Sequence, residues 1–250
     1  MPILSPADLA FFREHGFLVV PGVLPQQNLQ AAIDVICTFL GARLDDPSSW
    51  YSRTLGVNGI VPIRHSQAFW NNRQHPRVHT VFRELLETEA LWVTMDRGSF
   101  KPPVTTDRPE YHDESPIHWD RDPRVPSPYP VQGVLYLTDT TDTQVRSTRE
   151  PDVSNFPLVR VGASAGSLVI WSSLLPHGTG RNWADTPRLA QYIMMYPVED
   201  EATRRERIAL WRQKRAPQVW RGWPGQLDPE PGEPAVLTAL GRKLLGLDLW

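Results

Sequence analysis

Two histidines and one carboxylate are the residues of this chain whose types and spacing best suit chemistry. His118 and Asp120 lie two positions apart, and His177 follows much later, after an apolar stretch and before a glycine-containing turn. In an extended strand alternate side chains share a face, so the His118 imidazole and the Asp120 carboxylate can reach one ion. Two histidines and one carboxylate form the facial triad of non-haem iron(II) sites, which leaves coordination positions open. The pattern predicts a metal centre made of these three residues.

An arginine that suits an anion stands downstream of this group. Arg188 lies eleven positions after His177 and opens an alternating segment. As a strand, that segment would carry on one face Arg188, Ala190, Tyr192, Met194 and Tyr196. A planar guanidinium can bind a carboxylate through two hydrogen bonds. We therefore expect Arg188 to bind an acidic ligand near the metal.

A rival histidine–carboxylate group lies a few residues earlier, at His112, Asp113 and Glu114. It follows Pro109 and Glu110 directly and stands among charged residues, a context typical of a loop. A histidine and an aspartate two positions apart also occur as an ordinary polar pair. Arg188 downstream favours the metal-binding interpretation of the His118 pair.

The elements that must position these residues follow from periodicity and turn signals. Ser5, Pro6 and Asp8 form a helix start with a capping box. Helices are predicted at about 5–15, 26–40, 76–88, 202–213 and 236–245. Strands are predicted at about 17–20, 91–95, 131–138, 159–161, 168–171 and 188–198. Helices followed by a block of strands indicate an α+β fold.

Composition limits the class of protein. The chain has 250 residues, 40% of them hydrophobic and 22% charged, which suits one domain spanning 1–250. A net charge of −2 does not favour nucleic acid or an acidic membrane as a partner. Cys37 is the sole cysteine, and no stretch reaches the roughly 18 apolar residues of a membrane span. We expect a soluble cytoplasmic protein that acts on a small molecule, as a monomer or a dimer.

Four segments carry a family resemblance. They are 14–24 (EHGFLVVPGVL), 100–103 (FKPP), 118–120 (HWD) and 165–188, which contains His177-Gly178-Thr179-Gly180 and ends at Pro187-Arg188. Together they resemble the phytanoyl-CoA dioxygenase-like branch of Fe(II)- and 2-oxoglutarate-dependent oxygenases. The resemblance implies a double-stranded β-helix, a cupin-like jelly-roll barrel with flanking helices. It also implies Fe(II) on His118, Asp120 and His177.

The same resemblance implies further site residues and a reaction. Arg188 would pair with the distal carboxylate of 2-oxoglutarate, and Lys101 would be a polar contact of this cosubstrate. Gln132 and Tyr136, which share one face of a predicted strand, would line the cofactor site. The reaction would use dioxygen and release succinate and carbon dioxide, with hydroxylation as the usual result and desaturation or cyclisation as alternatives.

The substrate is less well defined, because the chain departs from its relatives at 144–151 (QVRSTREP), within an atypical segment at 140–160. Polar and cationic residues predicted to flank the site mouth indicate a small polar or acidic molecule. They are Arg64, His65, Gln67, Asn71, Asn72, Arg73, Arg97, Arg121, Arg146 and Arg149.

Two other functions remain open. One is a cupin-like metal-dependent hydrolase or lyase that does not use 2-oxoglutarate, which would leave Arg188 without a dedicated anion. The other is a non-catalytic barrel that binds a partner. Formation of succinate from 2-oxoglutarate separates the oxygenase from both.

Overall fold

The helices begin and end where side chains or glycines satisfy the terminal backbone groups. The computed structural model describes residues 2–51, 59–111, 115–120, 122–125, 129–141, 157–222 and 225–250. Its helices are α1 (Pro6–His15), α2 (Gln26–Leu40), α3 (Gln67–Arg73), α4 (Pro76–Leu86), α5 (Glu201–Gln213) and α6 (Ala239–Leu245). Helix α1 has the predicted capping box at Ser5 and ends at Gly16 in the left-handed conformation (φ 77°). None of the described helices is long and apolar enough to cross a membrane.

The strands form antiparallel sheets, which confirms a mixed helix-and-sheet fold. They are β1 (Phe17–Val20), β2 (Ile60–Val61), β3 (Leu91–Val93), β4 (Gly98–Lys101), β5 (Ser115–His118), β6 (Val131–Tyr136), β7 (Leu168–Ser172), β8 (His177–Thr179), β9 (Arg188–Tyr192) and β10 (Met195–Pro197). Six of them form one sheet in the order β1-β7-β6-β9-β4-β2. Two further pairs are β10 with β3 and β5 with β8.

The six-stranded sheet has one apolar face and one face that gathers polar side chains. Fully buried residues on the apolar face include Phe100, Leu135, Ile170 and Leu189. This face packs on the helices, because Gly98 lies against Ile36 of α2 and Phe69 of α3. The opposite face carries Lys101, Gln132, Tyr136 and Arg188, since side chains alternate along a strand. The pleat thus separates the main core from the predicted site.

The strand predicted at 188–198 is wrong as one element. It is divided into β9 and β10, which belong to different sheets, with Ile193 and Met194 between them. The Ile193 N–H still donates to Gly133 O at 3.1 Å, but Met194 O accepts from the Thr94 N–H at 2.9 Å. At Ile193 the chain therefore still pairs with β6, and at Met194 it begins to pair with the segment that contains β3. Alternation along the sequence does not reveal a change of partner strand.

Smaller differences concern element ends and short elements. Residues 159–161, predicted as a strand, have no regular secondary structure, and Val159 is exposed. The helix predicted at 76–88 ends at Leu86, because Glu87 adopts a left-handed conformation (φ 53°). Helix α3 and strands β2 and β8 were not predicted. A strand of two or three residues is too short to show a period.

Candidate metal centre

Strands β5 and β8 place His118 directly opposite His177. The two residues are register partners, with imidazole centroids 4.9 Å apart. Gly178 permits this approach, because a Cβ at that position would lie 2.6 Å from the carbonyl oxygen of Ser115. Asp120 follows β5, with its carboxylate 3.2 Å from His118 Nε2 and 3.5 Å from His177 Nε2. The structure therefore brings the three predicted ligands together, with their ligand atoms within 4.8 Å of one another.

Each imidazole is oriented by its other ring nitrogen. His118 Nδ1 lies 2.7 Å from Pro116 O, and His177 Nδ1 lies 3.1 Å from Leu175 O. A carbonyl oxygen only accepts, so Nδ1 carries the proton, and the Nε2 of a neutral ring presents a lone pair. Both lone pairs face the Asp120 carboxylate, which also only accepts. Acceptors that converge in this way fit a cation, and two imidazoles with one carboxylate fit Fe(II).

The electrostatics of Asp120 agree with a cation site. The contact with the His177 imidazole is the main reason why the Asp120 pKa lies well below its usual range. Desolvation opposes the shift, and a hydrogen bond from Gln132 adds to it. An ionised carboxylate is the form that binds metal.

Gln132 contacts a predicted metal ligand. Its Nε2 donates to Asp120 Oδ2, and its Oε1 accepts from Trp171 Nε1 at 2.6 Å. The Trp171 ring also lies 5.1 Å from the His177 ring, centroid to centroid. Sequence reasoning missed this tryptophan, because the pairing of Gln132 with Trp171 follows from the register of β6 on β7.

Arg188 lies on the polar face of the sheet, with 7% of its surface exposed. Burial lowers its pKa, and the neighbouring Tyr136 and Tyr192 act in the opposite direction. Burial raises the pKa of both tyrosines, so both phenols stay neutral. The Tyr136 hydroxyl donates to Val161 O at 3.0 Å. A buried guanidinium beside neutral phenols suits an anionic ligand.

Lys101 lies beside Arg188 as its register partner on β4. Its ammonium donates to Thr179 Oγ1 at 3.2 Å and to Gly180 O at 3.1 Å. These bonds join the end of β4 in the six-stranded sheet to the end of β8. The role of Lys101 as a cosubstrate contact stays a prediction.

Several residues predicted at the site mouth are held in other contacts, and the prediction is wrong for Asn72, whose amide lies on the apolar face of the sheet. Arg64 and Arg73 are buried, and Arg73 donates to Arg64 O at 2.5 Å and to Asp96 O at 2.6 Å. Asn72 donates to Gln191 on the apolar face of the sheet at 2.8 Å. Three other members are tied to the C-terminal part of the chain: His65 bonds to Arg215 O, and Gln67, which also bonds to Asn71, donates to Val236 O.

Among the described residues predicted at the site mouth, Arg97 lies on the side of the sheet that carries the candidate site. It precedes β4, and its charge acts on the pKa of Tyr192. Its guanidinium pairs with Asp96 at 2.9 Å and lies 3.6 Å from the centroid of the Trp220 ring. Arg121, Arg146 and Arg149 lie outside the described residues, and so does the rival group at 112–114.

Comparisons with known proteins agree with the resemblance that the motifs indicated. No protein-family model matches the chain. A Dictyostelium discoideum protein provisionally named phytanoyl-CoA dioxygenase is 22% identical over 75% of this chain and 74% of its own length. The hypothetical protein JW0805 from Escherichia coli has a similar solved structure, with a TM-score of 0.68 and 14% identity over 97% of this chain and 82% of that one.

A second solved structure adds a chemical description. SnoK, a non-heme alpha-ketoglutarate-dependent carbocyclase from nogalamycin biosynthesis, matches with a TM-score of 0.53 and 19% identity, over 78% of this chain and 84% of that one. At these identities the structural likeness shows the fold. The resemblance to phytanoyl-CoA dioxygenase-like proteins is confirmed.

Proposed function

We propose that this chain is an Fe(II)- and 2-oxoglutarate-dependent oxygenase that acts on a small molecule. The observation that carries the proposal is the convergence of His118, Asp120 and His177, whose ligand atoms lie within 4.8 Å of one another. The buried Arg188 on the facing sheet supports the use of an anionic cosubstrate. A metal-dependent hydrolase or lyase would not need a buried cation in that place.

The proposed architecture is one double-stranded β-helix domain over residues 1–250, with the helices outside. Three contacts between the β5–β8 pair and the polar face of the large sheet support it. Gln132 bonds to Asp120, the Trp171 ring lies beside His177, and Lys101 bonds to Thr179. Two facing sheets with the ligands between them are what a jelly roll requires.

Each residue has a defined task in this proposal. His118, Asp120 and His177 would hold iron on one face of its coordination sphere and leave the other positions open. Arg188 would bind the distal carboxylate of 2-oxoglutarate and so orient its oxo-acid end toward the metal. When bound, iron and 2-oxoglutarate supply the oxidation of a C–H bond by dioxygen, with release of succinate and carbon dioxide. The buried Tyr136 would exclude water from the cosubstrate.

The test combines metal uptake with product formation. Wild-type protein is expected to bind about one Fe(II) per chain and to convert 2-oxoglutarate to succinate in the presence of dioxygen. His177→Ala should lose metal and succinate formation together, whereas His15→Ala, an exposed histidine of α1, should change neither. Full succinate formation by His177→Ala, or none by iron-loaded wild type, would refute the proposal.

A further inference from the structure

A hydrogen-bonded chain runs from Trp171 through Gln132 to Asp120. Trp171 Nε1 donates to Gln132 Oε1 at 2.6 Å, and Gln132 Nε2 donates to Asp120 Oδ2. An indole N–H can only donate, so the oxygen of the Gln132 amide must face Trp171. The amide nitrogen must then face Asp120. The tryptophan therefore fixes the orientation of the glutamine, and the glutamine holds one particular oxygen of the carboxylate.

The two oxygens of Asp120 have different surroundings as a result. Oδ2 accepts from Gln132 and lies 3.5 Å from His177 Nε2, while Oδ1 lies 3.2 Å from His118 Nε2 and has no hydrogen bond with Gln132. A lone pair of Oδ2 that is engaged by an amide is less available to a cation. Oδ1 carries no bond from Gln132 and lies beside the Nε2 lone pair of His118. The carboxylate is thus prepared to offer one oxygen to a metal.

The number of oxygens matters for the proposed reaction, on which this inference rests. Three protein ligands on one face of an octahedral ion leave three positions, two for the chelating oxygens of 2-oxoglutarate and one for dioxygen. If Asp120 bound through both oxygens, it would occupy a fourth position, and cosubstrate and dioxygen would compete. We propose that Gln132, oriented by Trp171, is a positioning residue that keeps Asp120 a one-oxygen ligand and so preserves the cosubstrate positions.

The same tryptophan reaches a second ligand. Its ring lies 5.1 Å from the His177 ring, with an angle of 49° between the planes. Trp171 and Gln132 are cross-strand neighbours on β7 and β6, so their relative position is set by the backbone of the large sheet. That sheet thereby aligns Asp120 and His177, which are carried by the segment after β5 and by β8.

Two variants remove the hydrogen bonds and keep the shape. Gln132→Met keeps the length of the side chain without a donor, and Trp171→Phe removes the indole N–H but keeps an aromatic ring beside His177. Two matched controls make the same changes away from the site. Gln191→Met alters a buried glutamine on the opposite face of the sheet, and Trp50→Phe removes an indole donor that binds Arg43 O at 2.7 Å.

The readouts are Co(II) binding, the ligand-field absorption spectrum of bound Co(II), and titration of Co(II)-loaded protein with 2-oxoglutarate. Both site variants are expected to bind Co(II) with an affinity within about tenfold of wild type, because all three ligands remain. Their spectra should change, and their affinity for 2-oxoglutarate should fall about tenfold or more. The double variant should be no worse than Gln132→Met, because both residues act through one oxygen. The controls should match wild type in all three readouts.

The outcomes separate this inference from the proposed function. Wild-type protein that takes up neither Co(II) nor 2-oxoglutarate would refute the proposed function and the inference with it. Wild-type binding together with unchanged spectra and affinities in Gln132→Met would overturn the inference alone. Equal losses in Gln132→Met and Gln191→Met would also overturn it, since they would reflect general damage to the sheet.

Discussion

Replacement of Arg188 by alanine is expected to weaken 2-oxoglutarate binding by about 10²- to 10⁴-fold. The side chain is 7% exposed, so a carboxylate that meets it has left most of its water. Removal of one partner of a buried, hydrogen-bonded charge pair costs roughly 3–5 kcal/mol, because the other charge is left desolvated and unpaired. Each factor of ten in affinity corresponds to about 1.4 kcal/mol, which gives the stated range.

Lysine at position 188 is expected to give an affinity between those of wild type and alanine. It keeps the charge but lacks the planar group that binds both carboxylate oxygens. Burial already lowers the pKa of Arg188, and the same burial would lower that of a lysine from its ordinary value of about 10.4. The Arg188→Lys variant should therefore bind 2-oxoglutarate more weakly as the pH rises toward that lowered pKa, whereas wild type should not.

Calorimetric titration of 2-oxoglutarate into Mn(II)-loaded protein measures this without knowledge of the primary substrate. Arg207→Lys is the matched control, because Arg207 is equally buried but bonds to Tyr196, Val93 O and Leu244 O. We expect it to lower thermal stability and leave the dissociation constant unchanged. An Arg188→Ala protein that binds 2-oxoglutarate as tightly as wild type would show that the anion site lies elsewhere.

Three further predictions concern stability and the approach of the strands. Burial lowers the pKa of His65 to about 3, so the unfolded state takes up more protons below pH 6.5, and stability should fall by about 2 kcal/mol from pH 7 to pH 5. Urea unfolding should show a flatter pH dependence in His65→Gln, and an identical dependence would contradict the argument. In Gly178→Ala the new Cβ would lie 2.6 Å from Ser115 O, so β5 must shift. The affinity for Co(II) should therefore fall about tenfold or more, and an unchanged affinity would contradict this prediction. Lys101→Met removes the hydrogen bonds to Thr179 and Gly180, so the free energy of unfolding should fall by roughly 1.5–3 kcal/mol. A loss of 2-oxoglutarate affinity as large as that of Arg188→Ala would instead assign Lys101 to the cosubstrate.

The sequence predicted which three residues form the candidate site, but it did not predict the strand register that brings them together. Residues two apart share a face of any extended segment, which is enough to pair His118 with Asp120. That His177 would stand directly across from His118 depends on the pairing of β5 with β8, two short strands that are distant in sequence. The tight contact at Gly178 is equally invisible, because the sequence does not say which backbone will lie against it.

The buried arginines show that a charge pattern in the sequence can give a wrong prediction of exposure. An arginine between predicted elements is usually exposed, yet Arg64 and Arg73 are buried. The segment that covers Arg64 comes from far along the chain: Glu230 accepts from the Arg64 backbone N–H at 2.7 Å, and Gln226 accepts from its side chain. Because that partner is more than 160 residues away, no local pattern predicts the burial.

The alternation along β9 explains why the site and the core can be altered independently. Arg188 and Tyr192 point to the polar face, whereas Leu189 and Gln191 point to the helices and are completely buried. Neighbouring positions of one strand therefore face different surroundings, and under the proposed function we expect a substitution at 188 to act on ligand binding and one at 189 to act on packing. The predicted metal ligands lie on a separate strand pair and directly after its first strand, where the Asp120 side chain is still 50% exposed. Because few core contacts depend on that carboxylate, its geometry has to be fixed by specific hydrogen bonds, and the Gln132 amide, held by Trp171, supplies one of them.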